Sequence, residues 1–278
     1  MVTGRLKCLI HVLNRTGRIS KLRLDKVMFL ISRDIKITSH FKFYGFVPYK
    51  YGPYSFELFH DLQTLVDQGR VLADGNNLGP IDGSVDLSND IMTLIDDHLD
   101  STTSVEDTTL IDGIYAQYPE YAVLSKLRGN KKYMRDRNGI LTIGYEGLSI
   151  DEFLKLLVDE KVNILVDIRN NPWSMKYGFM RSQLESFCRK LGIDYLGLPN
   201  LGVPANLRAQ LKTSGEYRSF FDKYTRILQS EEKDLRYLSD VSRNMRLALM
   251  CFESEPARCH RSVLGEQLAR RGAEVAIH

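Results

Sequence analysis

Apolar positions change period along this chain, and the changes divide it. Near the N-terminus they fall at helical spacing: Leu6, Leu9, Ile10 and Leu13, then Leu22, Leu24, Val27, Phe29, Leu30 and Ile31. Thr16-Gly17-Arg18-Ile19 reads as the turn between two helices. From Phe41 to Tyr51 (FKFYGFVPYKY) the chain alternates or runs aromatic, which predicts a strand or β-hairpin. Gly52-Pro53-Tyr54-Ser55 reads as a turn, with Ser55 as N-cap of a helix carrying Leu58, Phe59, Leu62, Leu65 and Val66 and ending at Gly69. Val71 and Leu72 begin a short strand. Helices closed by a β-wing are the order of a winged-helix module, predicted over 1–72.

Residues 73–138 are expected to be a connector. Its first part is turn-rich (Asp74 to Pro80, Asp82-Gly83-Ser84). Ile91 to Leu99 and Leu110 to Tyr121 then predict short helices packed on the first module. The linker is expected to end at Arg137-Asn138-Gly139.

After that the pattern becomes strand, helix, strand. Leu141 to Tyr145, Val162 to Arg169, Ile193 to Leu196, Leu247 to Met250 and Ala273 to Ile277 predict strands. Ser149 caps a helix holding Phe153, Leu154, Leu156 and Leu157, and Glu152 completes a capping box. Leu184 to Leu191 marks another helix, stopped by Gly192. After a polar excursion from Gly202 to Ser219, helices follow over Phe220 to Leu228 and Lys233 to Ser239. The alternation predicts an α/β fold over 139–278, with a parallel sheet and right-handed crossovers.

Charge adds one feature to this division. Residues 1–72 hold 12 Lys/Arg against 5 Asp/Glu, whereas 73–120 hold no Lys or Arg and many aspartates. Lys126 to Arg137 is basic again. A basic module beside an acidic segment fits nucleic-acid binding, and it fits equally a surface with internal charge pairing. No apolar run approaches the length of a membrane span, and the N-terminus is too interrupted by charge for a signal peptide. No membrane association is expected, and the cytoplasm is the expected location. Cys8, Cys188, Cys251 and Cys259 lack a disulfide or zinc-finger spacing, so reduced thiols are expected.

The chemistry concentrates between Leu247 and Leu268. A buried strand leads into a loop carrying Cys251, Glu253, Glu255, Arg258, Cys259, His260 and Arg261, and Ser262 is expected to open an amphipathic helix. Open α/β sheets bind ligands beyond the carboxyl ends of their strands, where a helix N-terminus offers unpaired N–H groups. Two thiols, an imidazole and arginines there suggest an anion-binding or thiolate-using site. The alternative is a structural loop whose arginines pair with the two glutamates. In the functional reading a thiolate at Cys251 or Cys259 is supported by Arg258 and Arg261, His260 is acid or base, and Glu253 is a general base or a partner for Arg261. Three strand ends should converge: Gly144-Tyr145-Glu146, Asp167-Ile168-Arg169 and the Cys251–Arg261 loop. Alternation predicts that one of Asp167 and Arg169 faces the site while the other supports it. Asn170, Asn171, Pro172 and Trp173 extend the rim, and Trp173 either stacks on a base or packs internally. The Cys251/Cys259/His260 spacing is unlike common zinc sites, so no metal and no cofactor are expected.

Resemblances add to this. KLRLDKVMFLI followed by FKFYGFVPYKYGPYSFELFHDLQTLVDQGRV resembles the N-terminal region of Panacea (SocA-like antitoxin) and YwgA-like proteins. It implies a regulatory module that binds DNA or a protein partner rather than performing chemistry. TIGYEGLSIDEFLKLL, VDIRNNPWS and CFESEPARCHRSVLGEQLARRG resemble the domain of unknown function family 488, which implies a shared site and no established reaction. A weaker likeness, VDIR with a loop cysteine and a C-terminal G-x-E-V, is similar to rhodaneses. There a loop thiolate carries sulfur, but Arg258 lies one position too far from Cys251 for a C-x5-R cradle. The leading expectation is an enzyme or anion-binding protein acting on a nucleotide or nucleic acid. A non-enzymatic regulator of a toxin–antitoxin or defence system, and a sulfurtransferase, are the alternatives.

Overall fold

The computed structural model describes residues 3–79, 85–127, 135–204, 207 and 214–277, with 214–218 as backbone. The expected Asp82-Gly83-Ser84 turn, most of the basic run at 126–137 and much of the 202–219 excursion lie outside the described residues. The chain divides into two compact units, 1–133 and 134–278.

The first unit is mainly helical. Helices α1 (Gly4–Thr16), α2 (Lys21–Arg33), α3 (Ile35–Thr38), α4 (Phe56–Asp67), α5 (Asn89–Thr103) and α6 (Asp107–Gln117) enclose one core. Leu9, Leu13, Leu24, Phe29, Leu58, Leu62 and Ile95 lie at its centre. Gly17 sits at φ +67, the left-handed conformation that ends α1 without a β-carbon penalty. Strand β1 (Ile19–Ser20) joins β4 (Ala73–Asp74) and β5 (Asn77–Leu78) in a small antiparallel sheet, so the strand expected from Val71 begins two residues later. The aromatic stretch also differs from expectation. Residues 41–46 form no strand, and the hairpin is β2 (Val47–Tyr49) with β3 (Gly52–Tyr54), turning at Lys50-Tyr51 rather than at Gly52-Pro53. Ser55 caps α4, its side chain accepting from the backbone of Leu58 at 3.1 Å.

The charge segregation resolves into internal pairing at these residues. Arg15 reaches Asp96 and Asp100 at 3.6 and 3.2 Å, and Arg23 reaches Asp107 at 2.6 Å. Lys7 reaches Asp86 at 3.5 Å, Arg18 reaches Asp74 at 3.2 Å, and His98 of the acidic segment reaches back to Asp34 at 3.1 Å. Helices α5 and α6 therefore bring the acidic segment onto charges of α1 and α2, and much of the basic excess is neutralised within the unit.

The second unit is an α/β sandwich. Among the described residues, β6 (Gly139–Gly144), β7 (Ile164–Asp167), β8 (Asp194–Gly197), β9 (Arg246–Cys251) and β10 (Val275–Ile277) form a parallel sheet in the order β10-β6-β9-β7-β8. Every strand pair is parallel, as the continuous apolar runs required. The chain moves one way through α7 (Ile150–Asp159) and α8 (Arg181–Lys190), then back through α9 (Ser214–Ser230), α10 (Glu232–Ser242) and α11 (His260–Ala269). Right-handed crossovers then put the first pair and the last three on opposite faces. On the second face Tyr224, Leu228, Leu235, Leu238, Leu264 and Leu268 pack with Leu247, Leu249 and Cys251. The reversal places the ends of β6, β9 and β7 side by side, which is where such sheets open a crevice.

Ser149 makes the predicted capping box: it accepts from Glu152 N at 3.2 Å while the Glu152 carboxylate accepts from Ser149 N at 2.5 Å. Ser149→Ala is expected to cost about 1 kcal/mol. A lower denaturant midpoint for the second unit with an unchanged slope is the reading that checks it. No helix among the described residues is long and apolar enough to cross a membrane.

Candidate functional site

Strands β6 and β9 end in register, Gly144 opposite Cys251, and Asp167 of β7 lies opposite Met250. Pairing continues past both ends, with Tyr145 N donating to Cys251 O at 3.2 Å and Glu146 N to Phe252 O at 2.9 Å. This seats the 252–259 loop against the loop after β6. Glu146 fixes it further, accepting from Ser254 N and Ser254 Oγ at 3.0 Å each.

Arg261, fully buried, holds the same loop from inside. Its guanidinium donates to the carbonyl oxygens of Glu253 and, at 2.7 Å, Ser254. Arg261 thus meets the backbone of Glu253 and Ser254. Arg258, in contrast, is exposed and pairs with Glu255 at 3.2 Å. The helix begins earlier than Ser262: Cys259 is its N-cap and His260 its first residue, because a short 3-10 turn at Pro256–Arg258 already sets the direction.

That early start brings the loop's chemistry together. One donor atom each from Cys251, Glu253, Cys259 and His260 lies within 4.8 Å of all the others. Cys251 Sγ and Cys259 Sγ reach Glu253 Oε2 at 2.9 and 3.2 Å. His260 Nδ1 lies 3.5 Å from Cys251 Sγ and 3.9 Å from Cys259 Sγ. Both cysteines and the histidine are buried and Glu253 is half-buried. Among the described residues His260 Nε2 is buried with no hydrogen-bond partner, and the Tyr224 ring stands edge-on to the imidazole at 5.2 Å. The two thiols are driven apart in acidity. Hydrogen bonding to Cys259, then burial, push Cys251 up, while the Cys251 hydrogen bond and His260 pull Cys259 down. The spacing that spoke against a metal in the sequence does not keep these donors apart, because a strand end, a loop and a helix start deliver them separately.

Asp167 and Arg169 are not set on opposite faces, since residues two apart in a strand share a face. β7 ends at Asp167, and Arg169, two residues on, turns its guanidinium back onto that carboxylate. Arg169 Nε and Nη2 donate to Asp167 Oδ1 and Oδ2 at 2.9 and 2.6 Å, and Nη1 donates to Tyr145 Oη at 3.0 Å and Phe179 O at 2.9 Å. Tyr195 Oη donates to Asp167 Oδ2 at 2.7 Å, and burial followed by Asp167 pushes that phenol up. Phe179 stacks on Tyr145 at 4.2 Å. This buried network ties the loops after β6 and β7 together. Sequence reading did not single out Tyr195, Phe179 or Tyr224, whose only local signal was an apolar environment.

The rim lies outside this network. Trp173 is 61% exposed, which removes the packed alternative, and Phe252 at the end of β9 is 44% exposed. Asn171 Oδ1 accepts from Trp173 N at 3.2 Å, and Asn170 Nδ2 donates to Pro199 O at 3.3 Å. A hollow of about 350 Å³ is lined by Asn171, Pro172, Trp173, Met180, Arg181 and Glu185.

Residues 149–268 match the family described as "Domain of unknown function DUF488". The match lies within the second unit and spans β7, the rim, the loop of Cys251 to Arg261 and most of α11. No curated protein and no solved structure matches the chain.

Proposed function

We propose that the second unit is an enzyme whose reaction centre is the Cys251, Glu253, Cys259 and His260 cluster and whose substrate is a nucleotide or single-stranded nucleic acid received on the rim. One observation carries the reading: two buried thiols, a half-buried carboxylate and a buried imidazole gathered at the carboxyl ends of adjacent central strands. An exposed indole beside the amides of Asn170 and Asn171 suits a base, which presents a flat face and polar edges. The buried arginines give no support to a simple anion cradle, since Arg261 holds loop carbonyls and Arg169 is paired with Asp167. Sulfur transfer draws no support either, because neither loop thiol is exposed. The internal pairing of the first unit shifts the weight of nucleic-acid recognition to the rim.

Trp173 is the one tryptophan of the chain, so it reports on its own surroundings. Titration of the full-length protein with nucleoside phosphates and with a short single-stranded oligonucleotide at low salt is expected to quench its fluorescence in a saturable way. Asn170→Ala is expected to weaken that binding by about 1 kcal/mol, the size of one lost hydrogen bond. Unchanged emission with both ligand types sinks the substrate assignment.

A further inference from the structure

We infer that Cys251, Glu253, Cys259 and His260 form a site for a thiophilic divalent cation of the zinc type. The inference rests on reading this cluster as the working centre of the second unit, and adds what that centre holds.

The donors are the first argument. Two sulfurs and an imidazole nitrogen favour zinc-like ions over magnesium or calcium, which take oxygen ligands. The spacing is the second. Zinc–sulfur and zinc–nitrogen bonds of about 2.3 and 2.0 Å place sulfur and nitrogen about 3.5 Å apart in a tetrahedron. His260 Nδ1 stands 3.5 and 3.9 Å from the two sulfurs. The elements are the third, because Cys251 closes a central strand and Cys259 and His260 open a ten-residue helix, so these ligands stand on rigid supports.

Charge supplies the fourth argument. A metal ligand must be a thiolate, and two thiolates with a carboxylate in a buried site need a cation. In the structure both sulfurs crowd the single oxygen Glu253 Oε2. A divalent ion binds both sulfurs as thiolates, any thiol proton displaced leaves to solvent, and no electron is transferred. Nδ1 can bind the ion only in the tautomer with its proton on Nε2, and among the described residues no hydrogen bond to Nε2 holds that proton on Nδ1 instead.

Glu253 differs from the other three. Its oxygen stands 2.9 and 3.2 Å from the sulfurs, closer than the roughly 3.6 Å a shared tetrahedron allows. It therefore withdraws by several tenths of an ångström on binding, and it stands on the loop. Three firm ligands and one that yields are the pattern of a zinc site with an exchangeable position.

The test is cobalt substitution in the full-length protein. After chelator treatment, Co2+ is expected to bind one per chain, with a thiolate-to-cobalt charge-transfer absorption and the strong visible bands of a four-coordinate ion. Protons are expected to be released as Co2+ binds, and Zn2+ added afterwards is expected to bleach these bands without further release. Cys259→Ser, which leaves Cys251 as the one thiolate, is expected to weaken the charge-transfer absorption markedly, and Cys188→Ser, a buried thiol of α8, to keep it in full. Zinc measured in the untreated protein should fall in the same variant. Should Cys259→Ser fail to fold, the wild-type titration and its proton release decide alone. No cobalt uptake, a weak six-coordinate spectrum, or equal loss in Cys188→Ser overturns the site. Cobalt uptake without Trp173 quenching removes the substrate reading and leaves the metal, while quenching without uptake does the reverse.

Discussion

Replacing Arg169 by methionine is expected to destabilise the second unit by about 3–5 kcal/mol, the cost of breaking a buried pair and stranding its partner. Arg169 and Asp167 are 5% and 1% exposed, and the guanidinium spends its hydrogens on one carboxylate, one phenol and one carbonyl. Without it, Asp167 keeps the Tyr195 hydroxyl and the Arg169 backbone N–H, which do not balance a buried negative charge. The melting temperature, followed through Trp173, should drop by roughly 10 °C or more. Removing the charge as well, with Asp167→Leu in the Arg169→Met background, should recover part of the loss, because an apolar pair of similar volume carries no desolvation penalty. A double variant that loses the sum of the two single effects would contradict this account.

Gly144→Ala is expected to cost stability and to dismantle the cluster together. A β-carbon at 144 would coincide with the carbonyl oxygen of Glu253 and approach Arg261 Nη1 at 2.9 Å. β6 cannot give way, because β9 pairs along its full length on one side and β10 pairs on the other. The loop must lift instead, taking Glu253 from the thiols and Arg261 from its carbonyls. Overpacking of this kind costs about 1–3 kcal/mol. The larger effect is on the site: cobalt affinity should fall by at least tenfold, about 1.4 kcal/mol, in protein that still folds. Unchanged affinity in folded Gly144→Ala protein would show that the loop position does not matter to the cluster.

Much of this architecture is legible in the chain because its signals are short-range. Period alone separates a helical first unit from a parallel α/β second unit, since each element must present its apolar face to a core. The caps at Ser55 and Ser149 follow from side chains that reach only three residues ahead. The loop of Cys251 to Arg261 stands out for the types of its residues before any of their contacts are known.

What those residues touch was decided elsewhere. Asp167 and Arg169, two residues apart, can meet on one face from sequence alone, but their further partners Tyr145, Phe179 and Tyr195 come from other strands and loops. The acidic segment meets the basic helices across some eighty residues of chain, as in Arg23 with Asp107. A spacing of C-x-E-x5-C-H looks wrong for a metal only while the chain is read as a line. Gly144 opposite Cys251, the turn at Pro256 and a helix starting at His260 bring four donors within 4.8 Å. Local patterns encode elements, because dihedrals and caps are near-neighbour physics. The site belongs to the tertiary structure, because only strand register and loop closure determine which distant side chains share one small volume.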